Sequence, residues 1–476
     1  MKSFRFSAVV LALCLAGCMT PEFKRPAVEM PAGWRTDSTT TESLADRPWG
    51  DLFRTAELQA LINTALAENT DLRIAAARVE LVRAQYGIQR SNLFPTVAAD
   101  ASYERTRQPS AASAVENRSS EIHSFGLAMP SWEIDLWGRV RSLNEAAYRS
   151  LISSEESRRA FEISLIAQVS LTYLDLLGLD EQLDIAKRTM ATRRDSLRLV
   201  KLRFDNGVVS AVDLYQAESL LAGAESTIAE LERRRVQSEN ALSVLIGRNP
   251  GPIARQSKLS DYVLPLTLPA GLPAQLIERR PDVRAAEQSL ASTAANVDAA
   301  RKAYLPTISL TAFFGFISPE GSALFNSNRQ AASINPAVTL PIFTAGRLEG
   351  GIDAALAQQN IALEQYRQSI QVALREVEDA LVGYQQLRVQ RDSQQRISEA
   401  DSKRLKLTQS RYRGGVSSYF EVLDSERQSF TSELSLAQTR RDVYAAVVQL
   451  YRALGGGWTP PADKQQVSQQ SPAAAP

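Results

Sequence analysis

The chain has 476 residues with 44% hydrophobic content, and its 54 lysines and arginines nearly balance its 53 aspartates and glutamates. This balance creates no net field that would favour nucleic acid or anionic lipid, and the length suits about three domains. One histidine (His123) and two cysteines (Cys14 and Cys18) are too few for a His/Cys metal site, a Cys–His catalytic pair or a disulfide framework.

The N-terminus resembles the bacterial lipoprotein signal. Lys2 and Arg5 precede an apolar stretch, residues 6–16, which is too short to span a bilayer. Small residues then lead to Cys18, and a polar segment follows it. By this resemblance Cys18 carries a covalent lipid, and Met19, rather than aspartate, favours the outer membrane. An ordinary secretory signal is the alternative. No later apolar run is expected to be long enough for a membrane helix.

Two halves of the chain repeat the same landmarks 208 residues apart. Gly207 aligns with Gly415, Gly138 with Gly346, and the glycines that end the two halves also align. A fixed period of this kind predicts one structural unit built twice. The predicted segments are a signal peptide (1–17), an N-terminal segment (18–70), repeat 1 (71–247), a proline-rich connector (248–280), repeat 2 (281–455) and a disordered tail (456–476).

Each repeat begins with a predicted helix and two short strands. Residues 71–92 and 281–304 have helical spacing, and a proline follows each of them. Alternation of apolar and polar residues then starts at Val97 and at Ile308, although Phe313 interrupts the second run. The return strands are predicted at 125–132 and 336–343, after polar loops at 108–121 and 319–333.

Alternation over about ten residues is what a strand between lipid and an aqueous lumen requires. A soluble sheet that packs one face on a core gives the same pattern and is the alternative. In either case four strands are too few for a closed barrel, which needs about eight or more. Copies of the chain are therefore expected to combine.

Two very long helices are predicted next, one in each repeat. No strong breaker follows Gly138 until residue 206, which allows about 65 residues and on the order of 100 Å of helix. Apolar residues recur every seven positions from Leu176 to Phe204, and alternate steps of three and four from Ile352 to Leu387. This 3.5-residue period indicates coiled-coil packing. A narrow apolar seam with polar flanks suits the wall of a water-filled tube, and a plain coiled-coil spacer is the alternative.

The long helices end at two tight turns with the same residue pattern. Each turn has a glycine, a serine three residues later and an acidic residue three further on: Gly207, Ser210 and Asp213, then Gly415, Ser418 and Glu421. Glycine accepts the left-handed conformation that ends a helix, and the serine and the acid predict a capping box for the next helix. Such residues make a good turn without any other role. Both turns also keep an arginine and an aromatic residue, which the turn does not demand: Arg203 and Phe204, then Arg411 and Tyr412.

Several long motifs, in a fixed order, resemble the outer-membrane efflux protein family (TolC-like), and more narrowly its lipoprotein branch that serves RND-type pumps. The match covers essentially the whole mature chain. The motifs are Glu-Ile-Asp-Leu-Trp-Gly-Arg at 133–139, Glu-Arg-Arg-Pro-Asp-Val-Arg-Ala-Ala-Glu at 278–287, Tyr-Leu-Pro-Thr-Ile-Ser-Leu-Thr at 304–311, Leu-Pro-Ile-Phe-Thr-Ala-Gly at 340–346 and Ala-Leu-Gly-Gly-Gly-Trp at 453–458.

The resemblance implies a mainly α-helical fold with a small membrane β-barrel portion and two structural repeats per chain. Three chains would form a twelve-stranded outer-membrane barrel, continued by a twelve-helix barrel in the periplasm. The implied function is a passive exit duct of a tripartite efflux system for drugs or other small toxic compounds. Its implied partners are a periplasmic adaptor and an inner-membrane RND pump, with no nucleic acid, no metal and no cofactor beyond the lipid on Cys18.

Alternative functions remain at this point. A type I secretion duct or a heavy-metal efflux duct would share the same architecture, while a periplasmic adaptor would need one hairpin with flanking β-domains. A lipid-anchored enzyme is disfavoured because the sequence has a single histidine and contains no HExxH, GxSxG or P-loop pattern. No catalytic residue is therefore assigned.

The family's site roles transfer to matching positions at the two turns. The adaptor-docking residues are Arg203, Gly207, Ser210, Arg411, Gly415 and Ser418. The periplasmic aperture is formed by Asp213, Tyr412, Glu421 and Asp424. Ser417 stands where some members carry an arginine, which puts the closed-state ion pairs in doubt. If Asp213 and Glu421 cap helices, Asp424 is the better gate candidate, and Asp424→Ala is expected to raise conductance.

Overall fold

A computed structural model describes residues 23–36, 43–107, 119–262 and 268–456 of the chain. The predicted signal peptide, the predicted lipidation site Cys18 and nearly all of the predicted tail lie outside these residues. So does most of the first polar loop, residues 108–118.

The described chain is mainly α-helical and contains one four-stranded sheet. Its helices are α1 (Trp49–Leu52), α2 (Ala56–Glu68), α3 (Thr70–Ser91), α4 (Arg139–Asp205), α5 (Ala211–Leu245), α6 (Leu276–Arg279), α7 (Pro281–Lys302), α8 (Arg347–Arg413) and α9 (Tyr419–Ala453). Its strands are β1 (Ala98–Arg107), β2 (Ser119–Glu133), β3 (Thr307–Ser318) and β4 (Gln330–Thr339). Short 3-10 turns also occur, including Gly321–Ala323 and Ser327–Arg329 between β3 and β4.

The helices reproduce the predicted duplication. The long helices α4 and α8 each have 67 residues, their partners α5 and α9 each have 35, and the opening helices α3 and α7 each have 22. The long helices and their partners begin and end 208 residues apart in the two halves. The two-repeat interpretation and the mainly helical fold class are confirmed.

The four strands form an antiparallel sheet in the order β1-β2-β3-β4. Residues that lie directly opposite each other share a face, so the register shows which side chains lie together. One face is apolar and carries Tyr103, Phe125, Leu127, Phe314, Ile334 and Val338. The other face is largely polar or small and carries Asp100, Ser102, Glu104, Ser124, Thr311 and Asn335. The predicted alternation is confirmed, and the apolar face is exposed: Phe314 is 66% and Ile334 71% accessible.

A glycine pair brings β2 and β3 close together. Gly126 and Gly315 are direct partners, and a Cβ on Gly315 would lie 2.3 Å from the Phe125 carbonyl oxygen. The Phe313 ring lies over Gly126, with its Cζ 2.9 Å from the position of a Cβ there. Phe313 interrupts the sequence alternation because its ring covers a glycine on the largely polar or small face.

Two predicted strand boundaries are wrong. The second return strand was expected at 336–343, but β4 occupies Gln330–Thr339. Residues 330–333 belong to this strand and not to the polar loop, and residues 119–121 likewise belong to β2. The prediction followed the apolar residues Leu340, Ile342 and Phe343, which lie beyond the strand and are exposed. Pro341 stands among them and has no N–H for a ladder hydrogen bond.

The chain divides into two compact units. The strand unit contains Arg78–Glu155 and Ala285–Arg367, together with the segment that ends at Ala27. The hairpin unit contains Val28–Ala77, Glu156–Arg284 and the chain from Gln368 onward. The sheet lies in the strand unit, and both tight turns lie in the hairpin unit.

The predicted apolar seams are buried along much of their length. On α4, Leu176 is fully buried and Leu183 is 3% exposed, whereas Phe204 at the helix end is 37% exposed. On α8, Tyr366 and Val377 are fully buried. The 3.5-residue period therefore identified the packed face of each long helix.

The expectation that no apolar run after Cys18 is long enough to cross a membrane does not hold for α4. This helix is long and apolar enough to do so by length and composition alone. However, 56% of its most apolar stretch is buried within the chain. Val169, Tyr173 and Leu176 of this helix pack into a hydrophobic cluster with α2 and α5. Such burial is typical of a core helix.

Candidate functional site: the hairpin tips

Both tight turns end their long helix in the same way. Gly207 has φ of 71° and Gly415 has φ of 75°, the left-handed conformation that glycine adopts without strain. A Cβ at either position would meet no atom within 4 Å, so the backbone angle, and not space, requires glycine. Two backbone hydrogen bonds close each turn as in a Schellman motif: Gly207 N to Phe204 O and Val208 N to Arg203 O, then Gly415 N to Tyr412 O and Val416 N to Arg411 O. The predicted helix ends are confirmed.

The capping boxes differ between the two turns. Ser210 caps α5: its Oγ accepts a hydrogen bond from Asp213 N at 3.3 Å, and Asp213 Oδ2 accepts one from Ser210 N at 3.1 Å. Ser418 precedes α9 with similar backbone angles, but its side chain makes no capping hydrogen bond. The prediction of a second capping box, with Glu421 as its acid, is therefore wrong. Glutamate is one methylene longer than aspartate, and Glu421 is exposed.

The two tip arginines make different contacts. Arg203 Nη1 donates a 2.6 Å hydrogen bond to the Tyr412 hydroxyl, and the same guanidinium lies 4.9 Å from the Tyr412 ring centroid. Among the described residues, Arg411, its counterpart in the second repeat, donates only to the carbonyl oxygen of Val416 in its own turn, at 3.4 Å. Arg203 therefore joins the first hairpin to the second, which Arg411 does not do.

The hairpins also pack through an apolar cluster behind this contact. Its buried members come from both hairpins and are Val200, Ala217, Tyr419, Val422 and Leu423. The Tyr412 ring packs against them, with its centroid 5.3 Å from that of Tyr419. Burial raises the pKa of Tyr419 above its ordinary range, so this phenol stays neutral. The two tips thus form one packed structure.

The acidic residues of the second tip have different environments. Arg404 and Arg427 both bind the Asp424 carboxylate, the latter at 2.8 Å from Nη2 to Oδ1. The hydrogen bond from Arg404 lowers the pKa of Asp424, and Arg427 adds to this effect. The Glu421 carboxylate is exposed and has no hydrogen bond or ion pair with any described residue. Glu421 therefore caps no helix, and its carboxylate is as free to act at the gate as that of Asp424 was expected to be.

One more acidic residue, which the sequence analysis did not single out, is buried behind the tips. Glu426 is 5% exposed, and its Oε1 accepts a long hydrogen bond of 3.4 Å from Gln409 Nε2. Among the described residues its Oε2 has no hydrogen-bond partner. Burial raises the pKa of the Glu426 carboxyl, and Gln409, Arg193 and Ser196 partly offset this effect.

Glu426→Gln is expected to stabilise the protein at neutral pH. A raised folded-state pKa means that protonation of Glu426 stabilises the native state, so this contribution is present at low pH and disappears as pH rises through the raised value. The neutral amide removes the cost of a buried charge, about 1–2 kcal/mol. Thermal denaturation followed by circular dichroism should show a higher midpoint at pH 7.5 and little change near pH 4.5.

Asp424→Asn is the matched control because the pKa of the Asp424 carboxyl is lowered, whereas that of Glu426 is raised. A carboxyl group whose pKa is lowered in the folded state stabilises the protein at pH values above its ordinary pKa. This stabilisation is lost as the pH falls through the lowered pKa. The amide should therefore lower the midpoint at pH 7.5 and have less effect near pH 4.5. Equal pH dependence for the two variants would contradict the assignment of Glu426 as a destabilising buried acid.

An apolar rim at the two turns was also not predicted from the sequence. Its large exposed residues are Val208, Val212, Tyr215, Val416 and Phe420. Val208 and Val416 each follow a turn glycine, and Val212 and Phe420 also lie 208 residues apart. This repetition was the signal available in the sequence. Exposed apolar residues grouped at one site are typical of a protein contact surface.

Within the four described ranges, no cluster of histidine, cysteine, aspartate or glutamate has the arrangement of a metal site. The features of the tips are charged side chains, the apolar rim and the contact between the two hairpins.

Comparisons with known proteins agree with this architecture. The family model for outer membrane efflux protein matches residues 61–248 and 272–456, one match for each repeat. The chain is 37% identical to the outer membrane protein OprJ of Pseudomonas aeruginosa, over 96% of each protein. It is 35% identical to the toluene efflux pump outer membrane protein TtgC of Pseudomonas putida, over 95% of each.

A solved structure shows the same likeness. The Neisseria gonorrhoeae MtrE outer membrane channel in its open state superposes with a TM-score of 0.84 at 35% identity. The match covers 92% of this chain and 98% of that one. Because the likeness extends over both repeats, it includes the sheet and the tips.

Proposed function

The chain belongs to the outer membrane efflux protein family, and we propose that it is the outer-membrane exit duct of a tripartite efflux system. The observation that carries this proposal is the open sheet with one exposed apolar face. Among the described residues, β1 and β4 are each paired on one side only. Unpaired edges are not stable within a lipid bilayer, so a sheet of this kind requires other copies.

A homotrimer meets this requirement. Three copies of four strands make twelve, enough for a closed barrel with its apolar face toward lipid and its polar face toward the lumen. The paired long helices of each repeat would line the duct in the periplasm, as twelve helices in the trimer. The duct itself is passive, and an inner-membrane RND pump drives transport through a periplasmic adaptor.

The tips are the proposed docking and gating surface. Arg203, Gly207, Ser210, Arg411, Gly415 and Ser418 would dock the adaptor, and the apolar rim adds to the contact area. Asp213, Tyr412, Glu421 and Asp424 would line the periplasmic aperture. Among the carboxylates, Glu421 is the best candidate to attract cations, since capping engages Asp213 and two arginines neutralise Asp424.

The lipid anchor is proposed at Cys18. The chain that follows is held to the strand unit, because Arg25 donates to both carboxylate oxygens of Glu287, at 2.7 and 3.1 Å. A bidentate pair of this kind fixes the segment a few residues beyond the proposed anchor. The names of the relatives point to antibiotics and solvents such as toluene, and the proposed cargo is therefore small toxic organic compounds.

Planar-bilayer recordings of the purified full chain test the proposal. The wild-type protein should conduct and favour cations, and Glu421→Gln should lower the cation-to-anion permeability ratio by several-fold, because three neutralised carboxylates no longer attract cations. Glu218→Gln, which alters a carboxylate of α5 away from the turn, is the control. A protein that forms no channels and no oligomers would refute the duct, and an unchanged ratio in Glu421→Gln would refute only the gate assignment.

A further inference from the structure

The loop between β3 and β4 lies against the apolar face of the sheet. The Phe325 ring packs edge-on against Phe125 and Phe316, with ring centroids 5.5 and 5.7 Å apart. Phe125 and Phe316 are direct partners in the β2–β3 register. The loop therefore turns toward the face that carries the large apolar side chains, and not toward the polar face.

The beginning of the same loop contacts the same face. A Cβ on Gly321 would lie 3.2 Å from His123 Cε1, so the backbone of the loop lies directly on the imidazole ring. The His123 ring in turn lies 4.8 Å from the ring of Tyr103, its register partner. The buried Ser318 fixes the entry to the loop, since its Oγ donates to Glu320 O at 2.8 Å and accepts from Glu320 N at 3.2 Å.

The loop has an uncharged central stretch with polar residues before and after it. Residues 321–325 read Gly-Ser-Ala-Leu-Phe and carry no charge, whereas Glu320 precedes them and Asn326 and Arg329 follow. Phe325 remains 66% exposed despite its two ring contacts. An exposed aromatic ring between polar residues, beside an apolar strand face, is the arrangement found where a barrel meets the membrane interface.

We propose that the loop of residues 319–329 anchors to the membrane through its uncharged part, residues 321–325, which places Phe325 among the acyl chains of the outer-leaflet lipid. This inference rests on the proposed function, which puts the apolar face of the sheet in the bilayer. Acyl chains are the occupant because the loop surface is continuous with that face. The anchor keeps this loop off the polar face, so it does not cover the mouth of the duct.

Site-directed spin labelling tests the anchor. The native cysteines, Cys14 and Cys18, both lie in the first 18 residues, and the wild-type protein is first checked for the absence of labelling. A nitroxide on Phe325→Cys, with the full chain reconstituted in phospholipid vesicles, should collide several-fold more with oxygen than with a water-soluble nickel chelate. Ala323→Cys, a variant that retains Phe325, gives a second probe in the same loop and should show the same preference for oxygen.

Two control positions separate the possible failures. Ser327→Cys, two residues further along the loop, should favour the nickel chelate, and Phe314→Cys, on the strand face, should favour oxygen. Labels at 325 and 323 that behave like the label at 327 would overturn the anchor, as would labels shielded from both reagents by a protein contact. If the label at 314 also favours the chelate, the sheet is not in the membrane and the proposed function fails with it.

Discussion

Replacing Tyr412 with alanine is expected to raise the single-channel conductance of the reconstituted protein by several-fold. Arg203 contacts Tyr412 both through its hydroxyl and through its ring, and this pair joins the two hairpins at the proposed aperture. A hydrogen bond to a charged group contributes about 1.5–3 kcal/mol, and a cation–π contact about 0.5–2 kcal/mol. Losing both favours separation of the tips by about ten-fold or more, because each 1.4 kcal/mol is a factor of ten.

The internal repeat supplies matched controls for this prediction. Phe204 occupies the position of Tyr412 in the first repeat but makes no ring contact of this kind with any residue that the structure describes, so Phe204→Ala should leave conductance nearly unchanged. Arg411→Ala should likewise have less effect than Arg203→Ala. Tyr412→Phe keeps the ring and loses the hydroxyl, and should give an intermediate conductance. If Tyr412→Ala and Phe204→Ala conduct alike, the contact is not part of the closed state.

Much of the fold could be predicted because its signals are local or periodic. A glycine that needs a positive φ ends a helix wherever it occurs, so Gly207 and Gly415 fixed the turns from the sequence alone. The 208-residue period then predicted, for every long helix of one half, an equivalent helix in the other half. The alternation in β1 and β3 predicted the two faces of the sheet, because strand geometry makes successive side chains point to opposite sides.

The roles of individual tip residues could not be predicted, because they depend on contacts between the two repeats. Arg203 and Arg411 occupy equivalent positions before the two turn glycines, yet of the two only Arg203 bonds to a side chain of the other hairpin, that of Tyr412. Ser418 likewise has the spacing of a capping residue and does not cap. A duplicated sequence predicts equal turns, whereas packing one turn against the other makes their environments unequal.

The predicted bounds of β4 were wrong for a different reason. Its first residues are small or polar, Gln330 to Ser333, and give no alternation of large apolar side chains. The strand forms there because β3 supplies its hydrogen-bond partners, with Phe316 opposite Gln330 and Phe313 opposite Ser333. Pairing with a neighbouring strand outweighed the local pattern, as is common in sheets.

Arg280→Ala is expected to destabilise the hairpin unit strongly. Arg280 belongs to the Glu-Arg-Arg-Pro-Asp motif and is 7% exposed. It donates to both carboxylate oxygens of Asp282, at 3.0 and 2.6 Å, to Glu376 Oε2 at 2.8 Å and to the carbonyl oxygen of Ala453 at 2.9 Å. Burial alone would lower the pKa of Arg280, but the two carboxylates raise it above its usual value, so the group stays charged.

The expected loss is about 3–5 kcal/mol, because alanine leaves a buried carbonyl and the Glu376 carboxylate without their main partner. Arg279→Ala, one residue earlier, removes a single 2.8 Å ion pair with the half-exposed Asp46 and should cost less than about 1 kcal/mol. Thermal denaturation and the yield of intact oligomer measure both variants. Arg280 connects the start of α7 to α8 and to the end of α9, so its removal should loosen the second repeat at both of its ends. Equal stability of the two variants would mean that the helices hold this junction without the guanidinium, and that packing alone closes the repeat.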